Sequence, residues 1–452
     1  MSSPDDLING DCPGCRALHR LLGEAQERIQ QLEQRLQQLE HEAHRQAAPF
    51  RRPEKKRQRQ PGRPGRKPGH TPAYRKPPPH VDECAEVPLQ RCPHCHGPVR
   101  DVRRIEQIIE DIPPVRVRRL HLTTYRGRCE RCGPVHSTHP EQVSLATGAA
   151  GTHLGRNALG LAADLNKHFG LTMRKTCDIL RCHFGLHITP GGLSQALMRI
   201  ARKLQAPFAA LHEQARASSA VHADETSWWL GGHSAWLWVF TNRELTLYTI
   251  DNRSQAVVRR ILGDDYAGVL ISDCLSSYDP HPGRKSKCCA HHLKAISEAR
   301  ALVPHSVFLR QMRTVLKAAM ALHGAQQHMP AALYRRLVGN LERWLDELLA
   351  PSYAHPAEER LANRFRKQRP HVFTFLHVPG VAPTNNLAER QLRPAVIARK
   401  LSCGNKTEAG KHCFEVLASL AATCRQQQRR FSEFVADWVS LGQPAPTLFD
   451  PG

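Results

Sequence analysis

Two kinds of residue in this chain are spaced to do chemistry: carboxylates beside apolar strand text, and paired cysteines. Val221-His-Ala-Asp-Glu-Thr226 reads as a short strand ending in acids, and Ala267-Gly-Val-Leu-Ile-Ser272 as a buried strand followed directly by Asp273. Two carboxylates brought to one sheet edge repel, and tend to share a proton unless a cation lies between them. Magnesium, or manganese in its place, is an oxygen-seeking ion suited to such a pair. Two such ions held roughly 3.5–4 Å apart can activate an attacking oxygen and steady a leaving one at phosphorus. Glu225 competes with Asp224, because adjacent strand residues point to opposite faces and only one can join. Asp279 competes with Asp273 from a Pro-rich loop.

The cysteines point elsewhere. Cys92-Pro-His-Cys95 and Cys129-Glu-Arg-Cys132 each offer two thiolates from one tight turn, and two such knuckles make a closed, structural tetrahedral zinc site. Between them, Val115-Arg-Val-Arg-Arg-Leu-His-Leu-Thr-Thr-Tyr125 is strand-like text expected to form the connecting hairpin. His94 and His96 are alternative ligands but read better as surface residues, and Cys12-Pro-Gly-Cys15, with no visible partner pair, reads as free thiols or else a third ligand pair. Cys177, Cys182, Cys413 and Cys424 stand singly in helical text, as small buried hydrophobes do. Fifteen cysteines used this way fit a reducing cytoplasm.

The elements that must bring the acids together are legible around them. Ser234-Ala-Trp-Leu-Trp-Val-Phe240 is apolar on both faces, as a buried central strand is. Glu244-Leu-Thr-Leu-Tyr-Thr-Ile250 supplies a third strand, and a helix over Ser254 to Leu262 leads to the strand before Asp273. Three meander strands, a crossover helix and a fourth strand parallel to the first form the core order of a ribonuclease-H-like α/β fold. In it the ends of the first and fourth strands lie side by side, which would bring Asp224 to Asp273.

The rest of the chain sets the context. A net charge of +23 over 452 residues calls for a polyanionic partner. No run of about 18 apolar residues is present to span a membrane, and Met-Ser-Ser-Pro-Asp-Asp does not open a signal peptide. Leu22, Ile29 and Leu36, with Ala25, Leu32 and Leu39, make a heptad seam over residues 18–39, a coiled-coil contact within 15–45 that suits a homodimer. From Arg51 to Lys76 there are eleven Lys or Arg and one acid, Glu54, with Pro and Gly throughout. This basic linker (46–80) has no core to build and is expected to lie on phosphates or in a minor groove. The zinc-binding segment is placed at 81–145. Helical text at 150–212, with Thr172 and Thr189 as caps and Gly185 between, matches a helix-turn-helix. Helical spacing from Val303 to Arg369 reads as an insertion (303–370) that splits a catalytic domain at 215–302 and 371–405, with a C-terminal helical segment at 406–452. Trp344 within the insertion reads as core. The expected chain is thus multidomain and mainly α, around one α/β catalytic domain.

Three motifs tie these pieces together. His222-Ala-Asp-Glu-Thr226, Lys287-Cys-Cys-Ala-His-His292 and Pro383-Thr-Asn-Asn-Leu-Ala-Glu-Arg390 resemble those of the insertion-sequence 66 family of transposases. Arg399-Lys400 and the helical text from Glu415 to Ala422 are similar too. In that family a zipper-like N-terminus, a zinc-binding segment, a helical region and an Asp-Asp-Glu catalytic domain follow in this order. The resemblance implies a magnesium-dependent polynucleotidyl transferase with Asp224, Asp273 and Glu389 as its metal-binding triad. It selects Asp224 over Glu225 and supplies Glu389, which spacing alone does not reach. It also implies terminal-repeat and target DNA as substrates, a homodimer or higher oligomer, and accessory transposition proteins as candidate partners. Cys288-Cys289 stands where family members carry Cys-Trp, and Leu401-Ser-Cys-Gly where they carry aromatic residues. His291 is a candidate for a place near the phosphate, or else a core or surface histidine. Rival readings are a DNA-binding protein derived from a transposase and a nuclease of the same fold.

Overall fold

In a computed structural model of the chain, residues 27–33, 69, 71, 75–113, 115–441 and 446–449 are described. They fall into two units, Met1–Glu110 and Asp111–Gly452. In the first unit residues 27–33 are helical, with Ile29 and Leu32 more than half exposed. The rest of the heptad seam, Cys12, Cys15 and nearly all of the basic linker lie outside the described residues. Cys92 and Cys95 sit on a turn closed by Cys92 N–H donating to the Gly97 carbonyl (3.0 Å), with Arg91 and Pro98 bridged across it.

The second unit opens with a small hairpin, β1 (Arg126–Cys129) against β2 (Gly133–His136), whose turn runs from Cys129 to Cys132. The hairpin therefore lies after Val115–Tyr125, not within it. Those residues alternate like a strand but find no ladder partner, and a strand needs a partner to persist.

Helices come next. α1 (Arg156–Ala163) runs into a π-helical turn (Asp164–His168), followed by α2 (Met173–Phe184), α3 (Pro190–Lys203) and α4 (Gln205–Ala217). Thr172 and Thr189 cap α2 and α3, accepting from Lys175 N–H (3.3 Å) and Gly192 N–H (3.1 Å). On α2, Thr176, Cys177 and Leu180 are buried. Cys182, expected to be buried, is exposed, because two residues past Leu180 is over half a helical turn away.

The central sheet is ordered β5-β4-β3-β6-β7. β3 (Ala220–Leu230) and β4 (His233–Thr241) form a long antiparallel hairpin across Gly231 and Gly232. Both glycines have positive φ, 58° and 87°, as a two-residue hairpin turn requires. β5 (Thr246–Asp251) pairs with β4. α5 (Gln255–Leu262) then crosses to β6 (Val269–Ser272), which is parallel to β3, and β7 (Arg284–Lys287) adds outside it. The meander, crossover and parallel return thus take the expected order.

Helices cover both sheet faces. Val221, Ala223, Trp238, Phe240 and Leu270 share one core with α1–α4. A helical domain is expected at 150–212; the helices found there, over residues 156–217, are packed into the same core as the sheet. On the opposite face, Val269 and Ile271 pack against α6 (Cys289–Leu302), α7 (Val307–Ala325), α8 (Ala331–Leu349) and α9 (Pro356–Val372). Trp344 packs at the margin of this second core. After the short α10 (Thr374–His377), α11 (Asn386–Ser402) and α12 (Glu408–Gln426) cover Trp228, Leu237, Val239 and Ile250, and α13 (Phe431–Val439) returns to α1.

α12 also closes the outer edge of β5. Glu415, Ser419 and Thr423, four residues apart on one helix face, accept from the backbone N–H groups of Ile250 (2.6 Å), Tyr248 (2.8 Å) and Thr246 (3.0 Å). The C-terminal helical text is therefore part of the sheet's packing.

Candidate active site

The parallel register between β3 and β6 pairs Ala220 with Val269, Val221 with Leu270 and His222 with Ile271. Two residues further along each chain come Asp224 and Asp273, at the same level. The expectation that β3 ends at its acids is corrected here. β3 runs on to Leu230, because β4 continues to pair with it, Asp224 opposite Val239 and Glu225 opposite Trp238. What stops near the acids is β6, so Asp224 stands in mid-strand where its parallel neighbour has given way to a loop.

Alternation separates the two adjacent acids. Glu225 is bound by the Tyr278 hydroxyl (2.6 Å) and the Arg253 guanidinium (2.7 Å), which in turn stacks on Trp236 at 3.9 Å. Its carboxylate is thereby engaged in holding the loop after β6 to the sheet. Asp224 accepts only the N–H of Glu225 (2.9 Å) among the described residues. Burial, then the charges of Glu225, Asp273 and Glu389, push its carboxyl up to about 8. Asp273 accepts from Leu275 N–H (2.9 Å). Asp279 is engaged elsewhere: burial opposes its ionisation, but Lys367 (2.8 Å), Gln368 (3.0 Å) and Lys287 (3.2 Å) together hold it down to about 2.

Glu389 lies in the first turn of α11, and the start of that helix is clasped to β3. The buried Asn385 donates from Nδ2 to the Ala223 carbonyl (2.8 Å), and its Oδ1 meets His222 Nδ1 (3.1 Å). Burial lowers His222 to about 4, so the ring is neutral near pH 7 and Nδ1–H is the donor, a tautomer assigned from this network. Asn385 N–H donates to Cys288 Sγ (3.1 Å), and Cys289 N–H to the Pro383 carbonyl (2.9 Å). Further along α11, Arg399 donates to Ser227 Oγ (2.6 Å) and Thr226 Oγ1 (3.2 Å). The strand bearing Asp224 and the helix bearing Glu389 are thus joined at both ends of the motif.

The two histidines of the Lys-Cys-Cys-Ala-His-His segment part company. His291 Nδ1 stands 3.9 Å from Glu389 Oε1. His292 is a core residue, stacked on Phe365 at 4.4 Å and lowered by burial to about 3. Lys287 is fully buried and donates to the Asp273 carbonyl (3.1 Å), fixing the backbone that presents Asp273. The residue types and spacing assign no roles to His222, Asn385, Lys287 or Tyr278. Three of them lie inside the family-like motifs, but only the folded contacts say what they hold.

Among the described residues, no three His, Cys, Asp or Glu side chains are gathered into a ready-made metal site. Cys92 and Cys95 belong to the first unit and Cys129 and Cys132 to the second. In both turns backbone amides, from Cys95 and His94 or from Cys132 and Arg131, lower the first thiol of the pair, Cys92 or Cys129. That favours the ligating thiolate.

A family model described as Transposase IS66 family matches residues 154–413. The chain belongs to the IS66 transposase family. The match spans all three acids and the clasp of this IS66-family chain, whereas the cysteine turns and basic linker lie before it. Membership in a transposase family implies binding to DNA. No curated protein matches the chain. Among the described residues no helix is long and apolar enough to cross a membrane.

Proposed function

We propose that this IS66-family chain cuts DNA at the ends of an insertion sequence and joins the freed 3′ ends to target DNA. In this reading Asp224, Asp273 and Glu389 are its metal-binding carboxylates, in a ribonuclease-H-like domain. The main support is the β3–β6 register, which brings two acids level, together with the Asn385 clasp that brings the helix of the third. An all-oxygen donor set, with Asp224 hard to ionise beside its neighbours, suits magnesium or manganese. Bound there, the ion supplies activation of the attacking oxygen and charge neutralisation on the leaving one.

The chain's own residues do the positioning. Lys287 fixes the Asp273 backbone, Asn385 sets the first turn of α11, and Arg253 with Tyr278 keeps Glu225 out of the triad. Water attacks in cleavage and a 3′ hydroxyl in joining, so one site serves both displacements. α2 and α3, joined through Gly185 and exposing Arg174, Lys175, Arg181 and Arg199, are read as a helix-turn-helix contact to DNA. Cys92, Cys95, Cys129 and Cys132 are read, on their spacing in the sequence, as ligands of a structural zinc.

The test is full-length protein with labelled element-end DNA and magnesium or manganese, run beside Glu389→Gln. Wild type is expected to cut and then join, while the variant binds but yields no product. Cleavage that survives in Glu389→Gln would overturn the triad, and hydrolysis that never leads to joining would make the chain a nuclease. Metal analysis of the same preparation should find about one zinc per chain, lost in Cys129→Ser.

A further inference from the structure

Beside Asp273 lies a cavity of about 480 Å³, walled by His291 and Lys294 from α6 and by Arg364 and Lys367 from α9. That volume is within the roughly 300–1,000 Å³ of ordinary ligand sites. Its cations are not equivalent. Lys367 is already paired with Asp279 at 2.8 Å, and Lys294 is an exposed side chain 4.0 Å from Glu298. Arg364 forms no ion pair among the described residues, and its Nε is buried with no hydrogen-bond partner. His291, in the same wall, has no hydrogen bond at Nδ1, which stands 3.9 Å from Glu389 Oε1. A buried donor with no acceptor is costly, and folded proteins rarely leave such groups without a purpose. An unpartnered arginine Nε in the wall of a cavity calls for a ligand that brings acceptor oxygens. A guanidinium with a free edge favours a phosphate, which it can grip through two parallel hydrogen bonds.

We infer that this cavity receives a DNA backbone phosphate next to the one being cut, with Arg364 as its donor, His291 beside it and Lys294 at its rim. This rests on the transposase reading of the neighbouring acids and adds to it a residue from the helical insertion. Asp273 follows directly on β6 and Arg364 belongs to α9, so the insertion sets how the strand is registered against the carboxylates. Two other acids stand in the wall: the charge of Asp279 is offset by Lys287 and Lys367, and Glu298 stands 4.0 Å from Lys294, so neither repels the phosphate strongly.

The experiment measures the affinity of the full-length protein for labelled element-end duplex across a range of salt concentrations. Removing one cation from a phosphate lowers the slope of log affinity against log salt by about one. Arg364→Met is expected to show that lower slope, and Arg364→Lys, which keeps the charge, to retain the wild-type value. A wild-type slope in Arg364→Met overturns the proposal. Should that variant fail to fold, the substrate is altered instead: neutral methylphosphonates are placed singly at the phosphodiesters flanking the cut. One position is then expected to lower the wild-type protein's slope by about one, and an unchanged slope at every position overturns the proposal. The readout is binding, so it is independent of cleavage. A slope change without metal-dependent cutting would sustain the phosphate seat and sink the catalytic reading.

Discussion

Asp224→Asn is expected to abolish strand cleavage and joining, leave DNA binding intact, and make the metal-free protein more stable above neutral pH. The first effect follows from the proposed ligand role, since a metal's stabilisation of the transition state is worth several kcal/mol and each 1.4 kcal/mol is about tenfold in rate. A loss of roughly a thousandfold or more is therefore expected. The second follows from the electrostatics. Burial and three neighbouring carboxylates raise Asp224 from 3.8 to about 8. A carboxyl raised on folding binds its proton more tightly in the native state, so the stability it contributes is complete below about pH 4. That stability drains away as pH rises to about 8. Every tenfold difference in proton affinity between folded and unfolded chain is worth about 1.4 kcal/mol, which makes the loss several kcal/mol. Asparagine carries no charge and escapes it. Thermal melts in EDTA at pH 5 and pH 8 should show wild type falling relative to the variant, with magnesium restoring wild type only. Equal pH dependence in both proteins would mean that the carboxylates are not crowded as described.

Asn385→Ala is expected to be nearly as damaging although Asn385 is not one of the proposed ligands. The substitution leaves His222 Nδ1 and the Ala223 carbonyl without their partner in a region where Asn385 itself is fully buried. An unpaired buried group costs about 1–3 kcal/mol, so two should lower stability by roughly 2–6 kcal/mol in urea unfolding. A purely structural residue would stop there. Because the clasp sets where α11 begins, and Glu389 sits in its first turn, the folded fraction should also need more magnesium for half-maximal cleavage while DNA affinity holds. An unchanged magnesium requirement would reduce Asn385 to a stability residue.

The strand order around Asp224 and Asp273 was legible because buried strands carry continuous apolar text, as in Trp236 to Phe240 and Val269 to Ile271. The length of β3 was not. Asp-Glu-Thr-Ser reads as a loop, and only pairing with β4 sustains it as strand. The opposite error arose at Val115–Tyr125, where alternation without a partner imitates a strand. Glu389 was out of reach of spacing, since α6 to α10 intervene between it and Asp273, and only motif resemblance carried it. His222 and Asn385 stood in plain view inside their motifs. A side-chain pair between segments so distant in sequence leaves no local pattern, so its role emerges only when α11 docks on β3.

The ladder by which α12 closes β5 bears on how the chain is synthesised. The sheet's outer edge and one of its apolar faces wait for residues 408–426, which leave the ribosome after every strand has been made. Until then the nascent chain carries an open edge of the kind that recruits other strands. A product ending just before Glu408 should therefore collect in the insoluble fraction instead of competing with the intact protein for DNA. A soluble, DNA-binding truncation would show that the edge can be guarded without α12. With the edge left open, messages broken off late yield cleared aggregate, not inhibitor, and dosage of the active protein tracks complete translation.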